Sequence, residues 1–569
     1  LHARLKWAAS LGALALAAGA AALAPTIVAS KPVAAAQTDR EITSMRRLTE
    51  AQYRQALTDV FGPGLKMTGS FEPEARLDGL QAIGSRKLTI SPTGFEQYYA
   101  LAKTTAEQIL AEPRRDAIMP CKPADLAAAD PVCTAQFVRL HGRKLFRRAV
   151  SESKVRDYVA LADKVGAGPG GYYAGLQLTL TAMLVSPDFL FRMETVEGDP
   201  ARKGARRLDG YSKAQRLSYL LWNTAPDEAL LKAAESGALH TPAGLRVEVE
   251  RMMASPRLET GVRAFFSDWM QLDLFDVVTK DAAIYPKYSQ AVAKSAREQT
   301  LRTVVDLLLV RKQDYRDIFT TRQTFMDRSL SAIYQAPFTF EQEWAPYTFD
   351  EKSDRAGVLT QVTFLALHSH PGRSSPTKRG IALYEIFMCD PTPNAPANVD
   401  FSIVNDLDNP EFKTSRARLL AHATDEACSG CHKKSDSIGL TLERFDSVGQ
   451  PRTTENGAPI DTSAEFGDKQ VANAGELMKL LRNDPEAPRC LVRTLFNYGT
   501  GDALKPAQAN AMTKIEQTFA ASGYKLPALL RALASDPAFL SPPQTQAKPL
   551  DRGRSTIARA ANAAQGGSL

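Results

Sequence analysis

The chain has 569 residues, of which 44% are apolar and 23% charged, and a formal charge of +7. This is the composition of a large globular protein that can bury a core in several packed modules, on the order of three to five, and it excludes wholesale disorder and fibrous repeats. So mild a positive surplus gives no argument for a nucleic-acid partner.

Leu1 to Ala24 runs from Arg4 and Lys6 into an Ala/Leu-rich stretch, and Ala34-Ala35-Ala36 has the form of a small-residue cleavage site. Residues 1–36 are therefore expected to be a signal peptide, with an uncleaved anchor as the alternative and no membrane span after signal removal. Its loss would remove Arg4, Lys6 and Lys31, taking +7 to +4. The expected localisation is periplasmic or otherwise extracytoplasmic, where unpaired thiols are uncommon.

Helical spacing and breakers predict a mainly α, multidomain protein with minor β. They divide it into an N-terminal helical module (37–120), a disulfide loop with helices (121–200), a central helical module (201–345), a module with a C-x-x-C-H motif (346–470), a C-terminal helical module (471–541) and a disordered tail (542–569). Thr49 caps a first helix ending at Gly62-Pro63-Gly64, and Ser91-Pro92 starts a second. From Cys133 to Val150 the pattern is helical and basic, with Arg139, Arg143, Lys144, Arg147 and Arg148 read as a solvated face. Gly166 to Gly171 matches G-x-G-x-x-G, but no strand precedes it and Pro169 lies inside it, so it is a helix break. Farther on, Ser212, Asp227 and Thr241 mark helix starts, a long amphipathic helix covers Ala291 to Arg311, and short extended pieces near Phe338 to Phe349 suggest a hairpin. An apolar stretch then leads into His368-Ser369-His370-Pro371-Gly372-Arg373, and Arg416 to His422 is a helix feeding Cys428-Ser429-Gly430-Cys431-His432.

That pentapeptide carries the chemistry. In an exported protein, the pattern C-x-x-C-H is the attachment sequence of haem c: two thiols add to the haem vinyl groups and the adjacent histidine supplies an axial nitrogen. Cys428, Cys431 and His432 are the expected cofactor and metal ligands, making this a C-terminal cytochrome-c-like haem module, with a C-x-x-C disulfide or half a zinc site as the alternatives. His368, His370, His422 and Met478 are candidates for the sixth iron position, and Arg452 and Arg373 for the haem propionates. The remaining cysteines divide into a short-loop pair, Cys121 with Cys133, and a long-range pair, Cys389 with Cys490.

Several stretches resemble a family of large exported proteins, abundant in planctomycetes, built of consecutive modules of unknown function. They include RRLTEAQYRQALTDVFG (Arg46 to Gly62), FVRLHGRKLFRRAV (Phe137 to Val150), LVSPDFLFR (Leu184 to Arg192), RLSYLLWNTAPDEALL (Arg216 to Leu231), GVLTQVTFLALHSHPGRSSPTKRG (Gly357 to Gly380) and CSGCHKKSDSIGLTLERFDSVGQPR (Cys428 to Arg452). The resemblance implies an exported, cytochrome-like protein, and no reaction comes with it. Where the family commonly reads Met-Asp-Pro-Ile-Gly, this sequence has Ser435-Asp436-Ser437-Ile438-Gly439, so a methionine ligand at that place is absent. No H-E-x-x-H, G-x-S-x-G or phosphate loop is present. Two functions follow: a periplasmic c-type haem redox protein, an electron carrier or a peroxidase-like oxidoreductase with an unknown redox partner, or a non-catalytic binding or scaffold protein with a disulfide or zinc at Cys428/Cys431.

Overall fold

At Thr49 the backbone changes from strand to helix, in a computed structural model that describes residues 41–338, 341–393, 402–407, 409–422 and 426–543, without the side chains of 426–431 and 433. The expected leader (1–36) and the tail beyond Pro543 lie outside the described residues. The Thr49 hydroxyl accepts from the Gln52 amide while the Gln52 side chain accepts from the Thr49 amide, a capping box that opens α1 (Glu50–Phe61). Tyr53, Leu57 and Phe61 turn inward from it. Ser91, Asp130 and Ser151 cap α2 (Pro92–Ile109), α3 (Pro131–Leu145) and α4 (Glu152–Gly166), and α5 (Gly171–Leu184) follows the glycine break. These helices share a core that includes Phe137, Leu176 and Phe189. A larger core runs from Leu80 to Leu540, and a third gathers residues between Phe275 and Val448.

The fold is mainly helical with small sheets, as expected, but the strands differ from the expectation. β1 (Glu41–Arg47), β2 (Phe191–Gly198) and β3 (Arg206–Leu208) form an antiparallel sheet with β2 central. Its pairing joins Arg46 to Arg192, segments that no local pattern connects. The extended piece Ala345–Thr348 pairs with Gln323–Met326 instead of folding into a hairpin within 338–349. Asp209, not Ser212, caps α6 (Gly210–Leu221); its carboxylate accepts from the Ser212 amide, so Ser212 stands in the first turn. The long amphipathic helix is α7 (Gln290–Val305), ending in a wider turn at Asp306–Val310.

The basic face of α3 is only partly solvated. Arg139 pairs with Glu152 at the surface, whereas Arg147 is 1% exposed and donates to the carbonyls of Asp188, Phe189 and Phe191. Carbonyls take the place of water at Nη2, while Nε and Nη1 are buried with no hydrogen-bond partner among the described residues. Both expected disulfides form: Cys121–Cys133, with Cα atoms 5.7 Å apart, and Cys389–Cys490, at 5.3 Å. The second ties the segment beyond α8 (Pro376–Ala382) to α11 (Glu486–Thr500). No helix among the described residues is long and apolar enough to cross a membrane.

Candidate functional site

The motif lies on α10 (Glu426–Leu440), which follows α9 (Ser415–His422). Positions 428, 431 and 432 are three and four residues apart, so they share one face of the helix. The side chains of Cys428 and Cys431 lie outside the described residues. The opposite end of α10 is fixed by backbone contact with α8. A Cβ at Gly380 would stand 1.8 Å from the Ser435 carbonyl oxygen, and one at Gly439 would stand 1.9 Å from that of Pro376. Only glycine at both crossing points permits this approach.

Beyond α10 the backbone bends around a buried ion pair. Arg379, with no exposed surface, reaches Glu443 (Nη1–Oε1 3.3 Å) and the carbonyls of Leu365, Leu442, Phe445 and Asp446. Arg452 donates from Nη2 to Glu443 Oε2 (2.7 Å) and Ser374 Oγ (2.7 Å), and from Nε to the Glu443 carbonyl. Of the two arginines considered for an anionic ligand, Arg452 is thus held by the fold itself.

His432 is oriented by the next turn of its own helix. Its Nδ1 donates to Asp436 Oδ2 at 2.7 Å, which leaves Nε2 as the nitrogen for a metal. The same hydrogen bond raises the pKa of the half-buried imidazole, against the opposing effect of burial. The four-residue spacing of His432 and Asp436 was visible in the sequence, and reading the motif as a pentapeptide missed it. The ring that meets His432 is that of His422, edge-on with centroids 5.0 Å apart.

The other candidates are placed differently. Met478 is fully buried in the large core beside Leu477 and Leu481. The His368 ring packs on Phe364 (4.8 Å), and burial, with Arg379, Lys378 and Lys280 nearby, lowers its pKa to about 3. His370 accepts weakly on Nδ1 from Lys378 (3.4 Å); burial and the cations Lys378, Arg373 and Lys280 lower it to about 4. Beneath this loop lies Lys280, which no sequence signal marked. Its Nζ donates to the carbonyls of Ala366 (2.8 Å) and His370 (3.1 Å) and to Ser447 Oγ (2.8 Å). Burial, then Arg379 and Lys378, lowers its pKa to about 7. A cavity of about 30 Å³ opens between the loop and α9, lined in part by His370, Arg373, Ser375, Ser415, Arg418 and Leu419. Among the described residues no three metal-binding side chains come together.

Five successive segments match families each described as a protein of unknown function: residues 46–111 (DUF1587), 133–194 (DUF1595), 208–336 (DUF1592), 355–455 (DUF1588) and 467–539 (DUF1585). The protein thus carries the planctomycete-type set of modules that its motifs resemble. The motif helix, the histidine loop and the Arg379–Glu443 pair all lie within the fourth segment. No curated protein and no solved structure matches the sequence.

Proposed function

We propose that this is an extracytoplasmic c-type haem protein serving redox chemistry, with haem c joined to Cys428 and Cys431 and His432 as its proximal ligand. The observation that carries this is the His432–Asp436 hydrogen bond: it fixes the ring and its tautomer on the helix face shared by positions 428 and 431. When bound, haem supplies an iron couple for one-electron transfer or for peroxide chemistry, depending on its sixth position. The protein's own contribution is to hold the motif helix rigidly through Gly380 and Gly439 and to keep His432 basic through Asp436. A carboxylate partner strengthens the ligand and lowers the iron potential. The two disulfides accord with an oxidising compartment. His432 is the residue that would hold the iron; the ring of His422 meets it edge-on, and Met478 is packed away in the core.

The test is expression with the haem-attachment machinery followed by a reduced pyridine-haem spectrum. One covalent haem per molecule is expected, lost in Cys431→Ala. A second reading, a structural zinc, is favoured by the edge-on contact of His422 with His432, since two cysteines and two histidines make a zinc ligand set. A colourless wild-type protein holding one zinc per molecule overturns haem in favour of this reading.

A further inference from the structure

The cavity within the motif module has no acidic lining residue among the described residues: its polar lining consists of His370, Arg373, Ser374, Ser375, Thr377, Ser415 and Arg418. Arg418 is already neutralised by Glu455 (Nη2–Oε1 2.5 Å), and Ser374 is engaged by its bonds to Glu443 and Arg452. Arg373, which lines the cavity, and Lys378, which stands outside the lining and reaches its His370, are not matched in this way. Among the described residues, Arg373 donates to the neutral Asn405 (Nη2–Oδ1 2.7 Å), Lys378 meets the His370 ring, and neither forms an ion pair with a carboxylate, Glu455 acting on Arg373 from farther away. Since His370 accepts from Lys378 on Nδ1, its neutral ring carries the remaining proton on Nε2, making it a donor. Val404, Leu419 and Pro376 supply an apolar wall. Cations and donors beside an apolar wall, around a space of about 30 Å³, suit the two-oxygen head of a carboxylate with a short hydrocarbon tail behind it.

We propose that Arg373, Lys378 and His370 form a binding site for a carboxylate carried on a short apolar tail. Two sources have that chemistry. One is a propionate of the protein's own haem, an assignment that rests on the proposed function. Leu419 and His422 are three residues apart on α9, about 4.5 Å along its axis, so the cavity lies about one helical turn from the histidine that touches His432. The other is a free carboxylic acid. Burial lowers the pKa of both Arg373 and Lys378, helped by Arg418 at Arg373, where Glu455 partly offsets it, and by Arg373 at Lys378, so an anion would relieve the repulsion that remains.

Butyrate is the probe, titrated calorimetrically at low ionic strength into the full mature protein, haem-loaded and as haem-free Cys428→Ala/Cys431→Ala. The haem-free protein should bind butyrate and not butyramide, and Arg373→Gln and Lys378→Gln should each weaken binding by about tenfold. Lys378 is exposed, so its variant is expected to fold as wild type, which a thermal melt verifies. If haem loading abolishes butyrate binding, the site holds the haem's own propionate; if binding persists, it takes a free acid. No binding to the haem-free protein, binding unaffected by both substitutions, or tighter binding of inorganic phosphate overturns the proposal. The pyridine-haem spectrum judges the haem reading separately, because the haem-free arm does not depend on it.

Discussion

Two buried arginine–glutamate clusters, one on the N-terminal sheet and one beside the motif helix, use the same chemistry for different ends. In the first, Glu194 on β2 accepts from Arg216 (2.8 and 2.7 Å) and Arg46 (3.3 Å), all three side chains at most 3% exposed. Arg216 continues to the Ser541 carbonyl (2.8 Å), Arg46 to that of Gly499 (3.3 Å), and Arg192 stacks 3.7 Å from the Tyr219 ring. Every cation there ends on a carboxylate, a carbonyl or an aromatic face, and the cluster joins the first described strand to the last described turns. In the second, Glu443 is as deeply buried between Arg379 and Arg452, but the positive charge continues outward to Lys280, Lys378 and Arg373, none of which forms an ion pair among the described residues, and Arg373 lines a cavity. A network closed on itself stabilises the fold, whereas one left open on its positive side has room for a ligand's charge.

The largest effect should come from breaking the closed cluster. Glu194→Gln strands buried guanidinium groups and should cost about 3–5 kcal/mol in urea unfolding. Acid sharpens the point. Burial alone would raise the Glu194 pKa, but Arg216 and Arg46 outweigh it and hold it at about 2. With the folded value depressed, its stabilisation is present above the unfolded carboxylate value of about 4.3 and lost as pH falls through about 2. Wild type should therefore lose more stability across that window than Glu194→Gln does. Next, replacing Cys389 and Cys490 together by Ser should cost about 2–4 kcal/mol, since the bridge spans 101 residues.

A smaller loss, about 1–3 kcal/mol, is expected for Gly380→Ala, which forces α8 and α10 apart at the Ser435 carbonyl. Gly198→Ala, with nothing within 4 Å of the added carbon, is the control and should stay within about 0.5 kcal/mol in the same thermal melts. Asp436→Asn should cost under about 1 kcal/mol, because the asparagine oxygen can still accept from His432 Nδ1. In the haem-loaded protein it should nevertheless raise the midpoint potential measured by spectroelectrochemistry. An unchanged potential would show that Asp436 does not tune the iron.

The sequence by itself determined what is local or countable. Thr49, Ser91, Asp227 and Thr241 cap helices because a side-chain oxygen satisfies an amide three residues on. Parity and loop length gave the expected pairing of four cysteines, which the two bridges meet, whereas the helix that puts positions 428, 431 and 432 on one face was not among those expected from the sequence. Only the tertiary structure decided what depends on distant segments. β1 finds β2 across some 150 residues, a pairing that no alternation in Glu41–Arg47 announces. Whether Arg147 faces water or a cage of carbonyls, and whether Arg452 or Arg373 is left to meet a ligand, depends on which segments fold against each of them. A charge's partner is set by proximity in space, and burial magnifies the cost of lacking one, so residues of identical type become scaffold or site according to what surrounds them.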